Sequence, residues 1–328
     1  MKRVKHTVML VACLALGVLW TGPARAQFNG SHTLGDFGVK SGSQPEPGLY
    51  ATFFYYRYDA GTLKDRGGHG VTLSPGSPSG SLGMNAYVPI IWYVSRLKIL
   101  GAYYGAMAVV PWADGDLEAP ALGVSEATGT RFADISIRPI DLGWHNKKAD
   151  FSAGFQFYAP SGHYVDGGSD NTGKGMWTYE PFGGVTGYFD EKKTLSLATT
   201  AFWELHGAKK DSDVKVGQIL TLEGGLAKSY LGGGVIIGAA YYAQWKATAD
   251  DLGGVRSLPG VGTIGPELGD YKHRVFGLGP DAILPIATKK QLYALVNIRY
   301  QWEMGAETKT EGQTLTIAAT FPIPSVKL

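Results

Sequence analysis

Side chains able to do chemistry are spread thinly along this chain of 328 residues. Its seven histidines show no spacing typical of metal ligands, and neither a G-x-S-x-G nor an H-E-x-x-H signature occurs. His206 and Ser212 come nearest to a base and a nucleophile, but nothing supplies a third member or an oxyanion hole. The sequence therefore indicates no catalytic residue, no metal site and no cofactor.

Four carboxylates fall on the polar faces of segments that alternate like β-strands: Glu180, Glu204, Glu223 and Asp281. Paired carboxylates can act as an acid and a base, so a hydrolytic role stays open. In a polar interior they also pair with cations, and Arg138, Lys246 and Arg299 occur in comparable segments. The second interpretation, a polar network in the lumen, is favoured.

The segment LYALVNIRYQWE, residues 292–303, shows how such side chains are positioned. Its apolar and polar residues alternate with a period of two, which predicts a β-strand. In a soluble sheet the apolar face meets a core. In a membrane barrel the apolar face meets lipid and the polar face lines the lumen.

Twelve segments of this kind follow one another, near 48–58, 82–94, 98–112, 131–144, 148–160, 176–189, 194–206, 218–229, 234–247, 273–287, 291–303 and 312–322. Long connections alternate with tight turns, as in the outer-membrane barrels. The long connections are 59–81, 113–130, 161–175, 207–217, 248–272 and 304–311. The sequence thus predicts an all-β, transmembrane antiparallel β-barrel of about 12 strands, with long extracellular loops and short periplasmic turns.

The N-terminus resembles an export signal. A basic start, an apolar stretch and a small-residue site predict a signal peptide over residues 1–26, cleaved between Ala26 and Gln27. Cys13, the only cysteine, also resembles a lipoprotein site, but little apolar sequence precedes it and much follows it. Cleavage at Ala26 removes this cysteine and four of the 30 basic residues. Neither disulfides nor a nucleic-acid surface are therefore expected.

Tryptophans indicate which face of each strand meets lipid. Seven of the eight lie near strand ends, as in the aromatic girdles of membrane barrels. Because an arginine on the lipid face near the midplane costs about 2–4 kcal/mol, the face that carries Arg299 is assigned to the lumen. The same assignment turns six tyrosines inward: Tyr87, Tyr93, Tyr103, Tyr158, Tyr242 and Tyr293. Such rings can stack on flat solutes, although tyrosine is also an ordinary lumen filler.

Several short motifs add a family resemblance. They are PEPGLY at 45–50, APSGHY at 159–164, MWTYEP at 176–181, GAAYYAQW at 238–245 and GLGPDAILPI at 277–286. In order and spacing the chain resembles the meta-pathway phenol-degradation family of outer-membrane proteins. The resemblance implies a barrel associated with uptake of aromatic or other hydrophobic compounds, and it brings no catalytic residues.

The sequence therefore predicts a signal peptide (1–26), a periplasmic or lumenal segment (27–47) and an outer-membrane barrel (48–328). The barrel is expected to contact outer-membrane lipid and to pass small hydrophobic or aromatic solutes. The predicted lumen residues are Tyr103, Tyr158, Tyr242, Tyr293, Asn297, Arg299 and Glu303. Two alternatives remain: a lipid-modifying enzyme of the outer membrane and a secreted soluble β-protein that binds a ligand.

Overall fold

Strands make up most of the structure. A computed structural model of the chain describes residues 28–71, 80–119, 124–166, 168, 170–253, 256–258, 262–264, 272–288 and 291–323. The predicted signal peptide and its cleavage site lie outside these residues. Among the residues described, no helix is both long and apolar enough to cross a membrane.

The prediction of a barrel of about 12 antiparallel strands is confirmed. The strands are β1 (Gly48–Leu63), β2 (Ser81–Ile99), β3 (Ala102–Val109), β4 (Trp112–Ala119), β5 (Val124–Phe132), β6 (Ser136–His145), β7 (Ala149–Tyr158), β8 (Thr178–Tyr188), β9 (Leu195–His206), β10 (Ile219–Tyr230), β11 (Val235–Lys246), β12 (Arg256–Leu258), β13 (Gly262–Ile264), β14 (Arg274–Ala287), β15 (Leu292–Glu307) and β16 (Thr310–Ile323). The wall consists of β1, β2, β3, β6 to β11 and β14 to β16. Strand β1 pairs with both β16 and β2, which closes the twelve wall strands into a barrel.

The connection predicted at 113–130 contains a hairpin that extends the wall. Strand β4 pairs with the outer part of β2 and with β5, so it continues β3 past a break at Val110 and Pro111. Proline has no N–H to give to a ladder, which explains a break at this position. Strands β12 and β13 form a second, smaller hairpin within the connection predicted at 248–272.

Residues 292–303 have the predicted orientation. Ile298 pairs with Ile317 of β16 on the outer face, and the next pair, Arg299 with Thr316, faces the lumen. Ile298 is 42% exposed and Arg299 is 4% exposed, because the first meets the surroundings of the barrel and the second meets its filled interior. The polar face of this strand is therefore the inner one.

Strands β1 and β2 depart from the rule that polar residues face inward. Their lumen faces carry a buried apolar cluster, which is formed by Phe54, Tyr56, Tyr58, Ala60 and Val88. Leu82, Ala86, Ile90, Val109 and Ala318 pack against this cluster and are partly buried. We call these ten residues the apolar wall. One sector of the lumen is thus hydrophobic.

Three aromatic residues of β2 consequently face the opposite way from the sequence prediction. Tyr87 pairs with Tyr55 on the outer face, and Tyr93 lies on the same face with 49% of its surface exposed. Their prediction as lumen residues is wrong, because it assumed a polar lumen face where the wall is apolar. Trp92 points inward and its Nε1 donates to Asp141 Oδ2 (2.8 Å), so it does not belong to the girdle.

Candidate lumen site

Residues 28–47, called the strap below, run through the lumen before β1 begins at the periplasmic end. Toward the extracellular end, Lys246 Nζ donates to the carbonyl of Phe28 (2.7 Å). Toward the periplasmic end, Gln44 Nε2 donates to the carbonyl of Asp141 (2.8 Å). The strap contacts wall strands along its whole length, so the chain's own N-terminal segment occupies the lumen.

Three wall carboxylates hold the strap through its backbone N–H groups. The pairs are Ser31 and His32 with Glu204 (2.5 and 2.9 Å), Gly35 and Phe37 with Glu223 (both 2.7 Å), and Val39 with Asp281 (3.0 Å). Hydrogen bonds to an ionised acceptor are roughly twice as strong as neutral ones. The strap backbone is irregular, so its N–H groups have no partners in a β-ladder. The wall carboxylates supply the hydrogen-bond acceptors that these buried N–H groups need.

The imidazole of His32 lies between two further carboxylate contacts. Its Nδ1 is 3.0 Å from Glu180 Oε2 and its Nε2 is 3.3 Å from Glu223 Oε1, and the side chain is almost fully buried. Burial by itself lowers the pKa of His32, but Glu180 and Glu223 more than offset this, so the pKa is raised well above its ordinary value. The contacts with Glu180 on β8 and Glu223 on β10 therefore favour the protonated form of His32 in the docked strap.

Asp36 is the second titratable group of the strap at this depth. Burial and the neighbouring carboxylate of Glu223 raise the pKa of Asp36 to about 7, against the opposing influence of His32 and Arg138. Docking of the strap thus favours the protonated forms of Asp36 and His32. Both groups therefore make docking less favourable as pH rises.

Two predicted lumen residues, Asn297 and Arg299, form one network with the strap. Arg299 Nε lies 3.1 Å from Asp281 Oδ2, and its Nη1 donates to the carbonyl of Gly35 (2.6 Å). Asn297 Nδ2 donates to Asp281 Oδ1 (2.5 Å). The pair Arg299–Asp281 is one that the sequence favoured, and here it also anchors the strap.

Tyr242 and Glu303 form a second buried group beside the first. Glu303 accepts hydrogen bonds from Tyr242 Oη (3.0 Å) and Tyr58 Oη (2.8 Å). The ring of Tyr242 lies against Gly277, where an added Cβ would collide with it. The inward glycine at 277 therefore provides space that a wall tyrosine fills.

The remaining three predicted tyrosines lie apart from this network and from one another. Tyr158 Oη accepts from Gln156 Nε2 (2.6 Å) on the opposite side of the lumen. Tyr103 lies at the periplasmic end of β3, 6.0 Å from the ring of His145. Tyr293, near the start of β15, is 47% exposed. Within the described part of the chain, no contact joins the four tyrosines into one stacking site.

Two cations have partners other than the carboxylates that the sequence suggested. Lys246 Nζ pairs with Asp250 (2.8 Å), four residues further along the chain. The guanidinium of Arg138 donates to Gln156 Oε1 from Nε and Nη2 (3.0 and 2.8 Å). Glu180, Glu204 and Glu223 bind the strap instead. The periodicity of the sequence could not reveal these contacts.

An aromatic group surrounds Phe37 of the strap. Its ring lies 4.8 Å from the ring of Phe202 on β9, and the guanidinium of Arg138 on β6 lies 5.4 Å from its centroid. Arg138 is also 4.3 Å from the ring of Phe182 on β8, which in turn is 5.8 Å from Phe202. We call Arg138, Phe182 and Phe202 the ring site. All three belong to the wall, and two of them, Arg138 and Phe202, contact Phe37 of the strap.

The motif APSGHY at 159–164 has a structural role at the break between β5 and β6. Asp134, within that break, accepts from the backbone of Gly162 and Lys174 (2.9 and 2.7 Å). The backbone N–H of Ile135 donates to Ser161 Oγ (2.9 Å). The loop thereby satisfies polar groups that lose their ladder partners where the strand is interrupted.

His206 and Ser212 do not form a nucleophile–base pair. The Nδ1 of His206 is 3.0 Å from the carbonyl of Gly217, and its Nε2 is 3.5 Å from Glu204. Ser212 Oγ is instead 3.4 Å from the backbone N–H of Val214. The described residues also contain no group of three or more His, Cys, Asp or Glu side chains arranged to hold a metal ion.

The fold is that of an outer-membrane β-barrel. An outer-membrane channel from Pseudomonas putida F1 superposes with a TM-score of 0.70 at 11% identity, over 89% of this chain and 100% of that one. The transport unit of the autotransporter AIDA-I from Escherichia coli superposes with a TM-score of 0.50 at 11% identity, over 95% and 99% of the two chains. No curated protein matches this sequence.

The family can also be stated. The model of the family described as the putative MetA-pathway of phenol degradation matches residues 60–319. Because this match covers most of the chain, the protein belongs to that family. The resemblance drawn from the short motifs is thereby confirmed.

Proposed function

We propose that this protein is an outer-membrane channel for passive uptake of small hydrophobic or aromatic compounds, phenol-like ones among them, and that it supports their degradation. The apolar wall is the observation that carries the proposal. A general porin has a polar lumen, whereas Phe54, Val88 and their neighbours face the interior here. Leu82 and Ile90 remain partly exposed beside them, so a hydrophobic solute meets a matching surface.

The tyrosines extend this path. Tyr158 ends β7 and Tyr242 lies within β11, whereas Tyr103 and Tyr293 lie near the first residues of β3 and β15. Each ring offers an aromatic solute about 0.5–1.5 kcal/mol beyond simple burial. Separate weak sites favour flux over retention, and Asn297, Arg299 and Glu303 contribute the polar side of the same passage. Because the strap fills this space, passage along the lumen requires that the strap shift.

The proposal also includes export and membrane insertion. A signal peptide over 1–26 is removed between Ala26 and Gln27, and the barrel from residue 48 onward lies in outer-membrane lipid. The outer face supports this arrangement, because it exposes large apolar side chains such as Phe53, Ile91 and Ile298 (49, 49 and 42%). Such a surface is costly in water and is stable against acyl chains.

Growth on a limiting carbon source tests the transport role. A strain without this protein should grow more slowly than its parent on low concentrations of phenol or toluene and equally well at high concentrations, where leakage suffices. A plasmid copy should restore growth, and growth on a sugar serves as the control. Equal initial uptake of labelled phenol by both strains at limiting concentration would contradict the proposal.

A further inference from the structure

The ring site holds an aromatic group that belongs to the chain itself. Phe37 contributes a phenyl ring, and that ring packs on Phe202 at an interplanar angle of 40° with the guanidinium of Arg138 over it. Stacking and cation–π contacts of this kind recognise any ring with an accessible face. The wall groups also contact one another, since Gln156 accepts from Arg138 and the ring of Phe182 lies 5.8 Å from that of Phe202.

We propose that the ring site binds a monocyclic aromatic compound. The side chain of Phe37 occupies this site when the strap is docked, so an aromatic solute competes with the strap for it. This inference rests on the proposed function and names the place in the lumen where the solute is recognised. A small molecule that binds the same contacts as Phe37 stabilises the state in which the strap has left, and it shifts the population toward that state by mass action.

A neighbouring carboxylate gives the site a preference for a hydroxyl group. Glu180 Oε2 lies 3.0 Å from His32 Nδ1, whereas its Oε1 accepts from Gln156 Nε2 (2.8 Å). When the strap leaves, His32 leaves with it and Oε2 loses its donor. The O–H of a phenol can then replace that donor, which benzene cannot do.

Strap release can be measured with a single thiol. The fully buried Val39 is close to cysteine in size, and the only native cysteine, Cys13, can be removed by Cys13→Ala. In purified Val39→Cys protein, phenol should accelerate labelling by a thiol reagent. Cyclohexanol has one hydroxyl but no π-system, so its acceleration of labelling should be roughly two- to tenfold smaller than that by phenol. This ratio is the difference that one aromatic contact makes.

Two matched substitutions locate the effect. Phe202→Leu keeps an apolar side chain but removes the ring, so the preference for phenol over cyclohexanol should disappear. Phe151→Leu makes the same change on the exposed outer face of β7 and should leave the preference intact. Heat-modifiable migration in a gel verifies that each variant is a folded barrel.

Three results would overturn the proposal: equal acceleration by phenol and cyclohexanol, no acceleration by either, or an unchanged preference in Phe202→Leu. The assay uses purified protein in detergent and is therefore independent of uptake by cells. A phenol-specific effect without uptake supports the site and rejects the transport role. Uptake without the phenol-specific effect rejects the ring site and leaves transport standing.

Discussion

At the scale of residues, the lumen is organised by carboxylates that accept N–H groups from the strap. Glu204, Glu223 and Asp281 are all buried in the wall. Removing one partner of such a buried, charge-assisted bond costs more than the bond contributes, because the other partner stays desolvated and unsatisfied. The docked strap therefore depends on the charge state of the groups around it.

The pH dependence of strap docking follows from His32 and Asp36. The pKa of His32 is higher in the docked strap than in a free histidine, so protonation of His32 stabilises docking. This stabilisation is complete below the ordinary histidine pKa and is lost as pH rises through the raised pKa of the docked state. The raised pKa of Asp36, about 7, makes docking less favourable as pH rises from its ordinary pKa of 3.8 to that value. Both groups thus loosen the strap as pH increases, and the other charges that face them are Glu180, Glu204, Glu223 and Arg138.

We expect labelling of the Val39→Cys reporter to become faster as pH rises, after correction for ionisation of the thiol with a free model thiol. Adding His32→Gln should accelerate labelling at neutral pH by about ten- to a hundredfold, since a bond to a charged group contributes about 1.5–3 kcal/mol. It should also flatten the alkaline part of the profile. Asp36→Asn should flatten the acidic part alone. A profile unchanged by both substitutions would contradict this account.

At the scale of elements, the strands could be predicted from the sequence and the strap could not. Period-two alternation gave the twelve wall strands, and Arg299 assigned the lumen face of β15 because a charge is tolerated on only one side. The same rule failed for Tyr87 and Tyr93, because β1 and β2 cover one sector of the lumen with apolar residues. The strap has no periodicity, and its fold depends on carboxylates far along the chain, such as Asp281, 242 positions from Val39.

The orientation of β15 leads to a pair of opposite outcomes for neighbouring positions. Val296 lies on the outer face and Asn297 on the inner one, opposite Ala319 and Ala318 of β16. Val296→Arg should impair assembly strongly, at a cost of about 2–4 kcal/mol near the midplane. Asn297→Arg should assemble and loosen the strap, because the new cation competes with Arg299 for Asp281. The measurement is the folded fraction by heat-modifiable migration, and better folding of Val296→Arg than of Asn297→Arg would show the reverse orientation.

At the scale of the whole molecule, the strap supplies hydrogen-bond donors to a lumen that is rich in carboxylates. The buried charged side chains of the wall strands are Asp141, Asp150, Glu180, Glu204, Glu223, Asp281 and Glu303 against Arg138, Lys246 and Arg299. Four of these carboxylates bind strap N–H groups or His32, namely Glu180, Glu204, Glu223 and Asp281. Without the strap, the same carboxylates would face water and attract cations.

Deletion of residues 28–46 should therefore open a cation-selective pore while the barrel still assembles, because β1 pairs with β2 and β16 without help from the strap. In planar bilayers the deletion variant should conduct more than the full-length protein, and its reversal potential in a salt gradient should shift toward that of the cation.

Glu223→Gln in the deletion background should reduce this selectivity, since it removes a lumen charge. In the full-length protein the same substitution should instead raise conductance, because two strap N–H groups lose the carboxylate that accepts from them. Equal conductance of the deletion variant and the full-length protein would mean that the strap does not obstruct the lumen, and solutes would then have to cross the wall by another route.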